Sequence, residues 1–91
     1  MDAEHILRVV EIYEKQLQDL SIEPGMHSED QTVVSPRRAI QHAHLMLTSI
    51  RAHIQQGDLE RAQRWLGFVQ GVLWMSGIYT IAEMQTHNRS T

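Results

Sequence analysis

The sequence predicts an all-α fold, a small bundle of about four helices, and three observations carry that prediction. Apolar residues recur at helical spacing in three long segments, residues with capping chemistry punctuate those segments, and one segment is apolar nearly all round. Ninety-one residues make one domain, spanning 1–91 with an irregular loop at about 21–35. A hydrophobic fraction of 42% is ordinary for a globular chain and argues against wholesale disorder.

Asp2 is placed to cap a first helix running to about Leu20, with Ile6, Val9, Val10, Tyr13, Leu17 and Leu20 on one stripe. Leu7 and Ile12 lie off that stripe and hint at a second contact surface. From Ser21 to Ser35 the helical period disappears; Pro24-Gly25 marks a turn, and the loop reads as a spacer or a functional segment. Ser35-Pro36 then starts a second helix, with Ser at the N-cap and Pro at the first helical position. Its stripe is Ile40, Ala43, Leu47, Ile50 and Ile54, and it stops near Gln56 at Gly57, a residue that tolerates the left-handed C-cap. Asp58 caps the third helix at once, so Gly57-Asp58 is the corner of a helical hairpin.

The third helix, Leu59 to about Ser76, contains the stretch WLGFVQGVLWMSG, in which only Gln70 and Ser76 are polar. Leu59, Ala62, Trp65, Leu66, Val69, Val72 and Leu73 form its expected core stripe. Phe68, Trp74 and Met75, with Gly67 and Gly71, occupy the opposite face. A helix apolar nearly all round has to be covered nearly all round, by its own chain or by another. Gly77 ends this helix, and a short fourth one follows. Thr80 and Glu83 have capping-box spacing, Tyr79 and Met84 that of the hydrophobic staple. Ile78, Ile81 and Met84 are expected to fold back over the bundle, leaving HNRST as a polar tail.

The formal charge of −3 argues against nonspecific binding to nucleic acid, which needs clustered Lys and Arg. Without cysteine there is no disulfide, no thiolate nucleophile and no Cys-based zinc site. The opening MDAEHILRVVEIYEKQ lacks the apolar core of a signal peptide. The 13 residues from Trp65 to Gly77 fall short of the roughly 20 that span a bilayer. The expected location is cytoplasmic, with no membrane partner.

Gly67 and Gly71, four apart, make a smooth patch on the third helix, and each costs up to about 1 kcal/mol relative to Ala. Close approach of another backbone would compensate. That backbone is either another helix of this chain or a second copy in a homodimer; a ligand pocket is the remaining reading. Gly67, Phe68, Gly71, Trp74 and Met75 are therefore the candidate protein-binding residues. Of the six histidines, His42 and His44 point roughly 200° apart on a helix, and His42 and His53 sit about 16 Å apart along it. No metal site is expected. The carboxylates read as a solvated face, with no phosphate loop, nucleophile elbow or acid–base pair, so neither catalytic residue nor cofactor is expected.

The basic residues are seven arginines and a single lysine, which favours specific bidentate pairing over a diffuse positive field. Arg37 and Arg38 stand near a helix N-terminus, an end that prefers anions. Their alternatives are acidic loop groups, a partner or water.

The stretch RWLGFVQGVLW, followed by GIYTIAEMQTHNR, resembles a family of small proteins encoded in bacteriophages and prophages. The resemblance covers about Arg61 to Arg89, with a weaker echo in HILRVVEIYEKQL and RRAIQHAHLML. It brings context rather than chemistry: a protein of the infected bacterial cytoplasm that binds and modulates a host or phage component. Within the motif His87, Asn88 and Arg89 have no evident structural reason, so with Arg37 and Arg38 they are the candidate recognition residues. The expected function is a non-enzymatic accessory protein acting by protein–protein binding as a homodimer. The alternative is a nucleic-acid-associated regulator whose dimer presents its arginines on one surface.

Overall fold

The computed structural model describes residues 1–33 and 35–89; Val34 of the expected loop and Ser90-Thr91 of the expected tail lie outside them. Among the described residues there are four helices and no strand: α1 Ala3–Asp19, α2 Pro36–Gln55, α3 Leu59–Met75 and α4 Ile81–Asn88. Every expected N-cap is in place. The Asp2 carboxylate accepts from His5 N–H at 2.8 Å, Ser35 Oγ from Arg38 N–H at 3.3 Å, and Asp58 from Arg61 N–H at 3.1 Å. Thr80 and Glu83 close the full capping box, each side chain accepting from the other's backbone N–H.

Three helices end alike, with the N–H two residues past the cap returning to a carbonyl of the last turn. Asp58 N–H bonds the His53 carbonyl across Gly57 (φ 79°), and Ile78 N–H bonds the Leu73 carbonyl across Gly77 (φ 77°). At the end of α1 the left-handed position is held by Ser21 (φ 59°), and Ile22 N–H reaches the Leu17 carbonyl. That reversal corrects the expected first stripe. It turns Leu20 out, leaving it 46% exposed, and brings Ile22 into the core instead.

The core lies between α1, α2 and α3. Ile6, Val9, Val10, Tyr13 and Leu17 from α1 meet Ile40, Ala43, Leu47 and Ile50 from α2, and Ala62, Leu66, Val69 and Leu73 from α3. The α2/α3 hairpin is the most extensive pairing, and α4 packs back onto α1. Glu14 and Arg51 clip α1 to α2 through a two-point ion pair, with Nε–Oε2 3.1 Å and Nη2–Oε1 2.6 Å. On α4 Met84 is buried, and before it Ile78 packs against the core, but Ile81 is 51% exposed rather than folded over the bundle.

The loop after α1 is stitched to α2. Gly25 N–H donates to the Gln41 carbonyl, His27 N–H to His42 Nδ1, and the buried His44 donates from Nδ1 to the Ile22 carbonyl at 2.8 Å. These bonds give His42 and His44 structural work.

Candidate functional site

The expected core stripe of α3 narrows in the structure. Ala62, Leu66, Val69 and Leu73 are buried and Leu59 and Val72 pack partly against the core, but Trp65 is 40% exposed. Trp65 lies at the edge of the stripe, where its ring meets Phe68 edge-to-face at 5.8 Å on the outside of the molecule. Elsewhere on the helix Phe68 is 53% exposed, Trp74 49% and Met75 79%. Gly67 and Gly71 are exposed as well, and a Cβ built on either meets nothing within 4 Å beyond its own helix backbone and chain neighbours among the described residues. Among the described residues no helix of this chain crosses the glycine patch, which leaves a second copy or a ligand as the expected cover.

The C-terminal half of this face opens into a groove of about 640 Å³ between α3 and the start of α2. Pro36 and Ala39 form one wall, Val72, Trp74 and Met75 the other, and the lining is predominantly apolar. The α2/α3 hairpin produces this: closing at Gly57-Asp58, it sets the first turn of α2 beside the last turns of α3. The N-terminal half carries Arg61 and Arg64, which with His53, Trp65 and Phe68 border a second depression. Arg61 stands 3.6 Å from Asp58, while Arg64 has no ion-pair partner among the described residues. Arg37 and Arg38 are exposed at the opposite end of the hairpin, also without ion pairs among the described residues. The two arginine pairs are thus far apart on a single copy.

His87 and Asn88 have the structural reason that the sequence did not show. Gln70, the polar residue inside the apolar run of α3, donates to Tyr13 Oη at 2.9 Å and to Asn88 Oδ1 at 2.7 Å. Asn88 Nδ2 returns a bond to Gln70 Oε1 at 3.2 Å. Tyr13, with its hydroxyl proton free, donates to His87 Nδ1 at 3.0 Å. On the other side Arg8 donates to His5 Nδ1, so the remaining His5 nitrogen donates to the His87 carbonyl at 3.2 Å. The rings of Tyr13, Tyr79 and His87 pack together, with centroids 4.8 to 5.4 Å apart. The seam fastens α4 to α1 and α3; Arg89, beyond it, is exposed.

Burial dominates the electrostatics of the seam. Burial pushes the Tyr13 hydroxyl up to about 12, with the Gln70 bond opposing and the neighbouring Tyr79 adding to the rise. The hydroxyl, in a fully buried side chain, therefore stays protonated and serves as a hydrogen-bond donor. Burial also lowers His87 below its ordinary 6.5, with Glu83 opposing, which keeps its Nδ1 free to accept from Tyr13. Among the described residues no group of three His, Asp or Glu is placed to hold a metal ion, and no helix is long and apolar enough to cross a membrane. Comparison of the chain with protein-family models, with curated proteins and with solved structures finds no match.

Proposed function

We propose that this is a phage-type accessory protein of the bacterial cytoplasm that works by binding protein, without catalysis, and that it self-associates through the outer face of α3. The observation that carries the reading is Phe68, Trp74 and Met75 standing exposed around two bare glycines on one helix. Large apolar side chains on a charged chain of this size lower the free energy most when another surface covers them. The resemblance over Arg61 to Arg89 supports the accessory role, because that stretch supplies this face. Engagement of a host or phage component then falls to the surfaces left open after self-association, the exposed Arg37, Arg38 and Arg89 among them.

The test is solution mass across a concentration series, for the wild type and for Trp74→Glu. The expected result is a wild-type dimer and a Trp74→Glu monomer with unchanged helical circular dichroism. A wild type that stays monomeric at millimolar concentration overturns self-association. A Trp74→Glu protein that unfolds overturns the assignment of this face as external.

A further inference from the structure

We infer that the closed end of the α2/α3 hairpin binds a nucleotide, its phosphate held by Arg61, Arg64 and His53 and its base laid against the Trp65 ring. The inference does not rest on self-association. At 100° per residue Trp65 lies about 140° from the midpoint of Gly67 and Gly71, so a second copy crossing the glycines leaves that ring open.

Helix geometry brings the parts together. Arg61, Arg64, Trp65 and Phe68 are spaced i, i+3, i+4 and i+7, so they share one stripe of α3, and all four are exposed. The corner at Gly57-Asp58 sets His53, in the last turn of α2, against the same stripe. The five residues border a hollow of about 600 Å³, within the roughly 300–1,000 Å³ of small-molecule sites. Its charge runs against that of the whole chain, whose formal net is −3. Both arginines lie in the first two turns of α3, where the helix dipole is already positive. Among the described residues Asp58, 3.6 Å from Arg61, is the one carboxylate paired with either. An anion relieves this gathering of like charge. Two guanidinium forks offer more donors than one carboxylate takes up, and the three acceptor oxygens of a phosphate match them better. His53 Nδ1 is buried without a hydrogen-bond partner among the described residues, so no bond at that nitrogen holds the ring against turning toward a ligand.

The aromatic rings decide what the phosphate is attached to. Trp65 and Phe68 meet edge-to-face at 73°, an arrangement that covers one ring face at most and leaves the others open. Trp65 and His53 also border a second hollow, of about 250 Å³, and so form a ridge between the two. Leu45 and Met46 give this hollow an apolar wall, and Glu29, His42 and Ser49 give it polar groups. His42 Nδ1 accepts from His27 N–H at 3.2 Å, which leaves the ring proton on Nε2 as a donor. Glu29, acceptor-only when ionised, suits the exocyclic amine of an adenine or cytosine. Its charge also keeps the phosphate on the arginine side of the ridge. A base stacked on Trp65 with its phosphate toward the arginines uses both hollows, whereas a bare phosphate uses one. Stacking on an aromatic ring beside arginine is how single-stranded nucleic acid is held, and a free nucleotide offers the same unit.

Calorimetric titration with AMP and fluorescence anisotropy with a short labelled deoxyadenosine strand, both at low salt, test the inference and separate the two sources. Trp65→Ala is expected to weaken binding by roughly 5- to 150-fold, the range of base stacking. Arg64→Ala is expected to weaken it by about 10-fold or more, as for a charged hydrogen bond. Arg37→Ala, exposed at the far end of the hairpin, should leave it unchanged. AMP that binds as tightly as the strand identifies a free nucleotide as the ligand, and binding of the strand alone identifies single-stranded nucleic acid. Arg64 is exposed, so its variant keeps the test decisive if Trp65→Ala loses its helical circular dichroism. Absence of binding by both probes overturns the inference. An Arg37→Ala loss equal to that of Arg64→Ala overturns it too, because it marks diffuse attraction to polyanions. Inorganic phosphate that displaces the bound probe as well as AMP does overturns the base contact. None of these results bears on self-association, which solution mass reads separately.

Discussion

The two sides of α3 are built from the same kinds of residue and have opposite fates. On the inner side Ala62, Leu66, Val69 and Leu73 are at most 1% exposed, enclosed by α1 and α2. On the outer side Phe68, Trp74 and Met75 are larger, yet about half or more of each faces water. Hydrophobicity along the helix therefore states how much has to be covered and not by what. Between the two sides runs Gln70, whose amide ties the tyrosine of α1 to the asparagine that ends α4. That seam marks where the intramolecular packing of α3 meets α4 and ends.

The strongest way to break this contrast is to truncate both sides. Leu66→Ala or Leu73→Ala removes a fully enclosed side chain and is expected to destabilise by about 2–5 kcal/mol. Met75→Ala, measured at a concentration where the protein is monomeric, is expected to stay within about 0.5 kcal/mol. Chemical denaturation of the three variants compares them directly. A loss at Met75 matching that at Leu73 means the outer side is covered by this chain after all.

The seam predicts an intermediate effect. Gln70→Ala strips the Tyr13 hydroxyl of one donor and leaves Asn88 without its partner, which is expected to cost about 1–3 kcal/mol. Early loss of α4 in native-state hydrogen exchange should accompany it. Equal protection of α4 in variant and wild type would mean that Met84 and the contacts of His87 with Tyr13 and His5 hold this helix without Gln70.

What the sequence revealed about these regions follows from the range of the interactions. Each N-cap was legible because it depends on a side chain and a backbone N–H three residues apart, as at Asp2, Ser35, Asp58 and Thr80. Gly57 and Gly77 announced their turns; Ser21 did not, because serine seldom takes positive φ, and so Leu20 was placed in the core in Ile22's stead. Trp65 was misplaced because a wheel shows the edge of a stripe but not whether a neighbouring helix reaches that far. The seam joins residues 13, 70 and 87–88, and no local pattern links positions so far apart. Gln70 inside an apolar run was the one visible trace of it. The outer face of α3 was readable as apolar, and the space above Gly67 and Gly71 shows that among the described residues no other segment packs on the glycines.

A smaller effect comes from pH. In the fold His87 is held below its ordinary 6.5, by burial first, so the unfolded chain binds the proton more readily. The stabilisation is then complete above about pH 6.5 and is lost as the pH falls from 6.5 through the lower folded value. Protonated Nδ1 becomes a donor, and the Tyr13 hydroxyl loses its acceptor. Thermal midpoints are expected to fall between pH 7 and pH 5, and less steeply in His87→Asn, which keeps an acceptor near the Nδ1 position. The difference between the two proteins is the measurement. Parallel curves would remove His87 as a source of the pH dependence.

The smallest effect separates the two sides of α3 most sharply, because it changes sign with the assay. Gly67→Ala and Gly71→Ala add a methyl group where nothing lies within 4 Å, at helical backbone positions that carry no positive φ. In the isolated chain each replacement is expected to stabilise, by up to about 1 kcal/mol, the propensity difference between the two residues. At Gly77, where φ is 77°, the same change is expected to destabilise, so it serves as the control. Self-association should respond in the opposite direction. A methyl at the crossing point holds the two helix axes apart and reduces contact among the rings on either side, so the dimer weakens while the monomer gains stability. An intramolecular crossing could not separate the two readouts, since one event would decide both. A chain whose stability and dimer affinity rise together in Gly71→Ala would show that the second copy covers the aromatic residues without approaching the glycines.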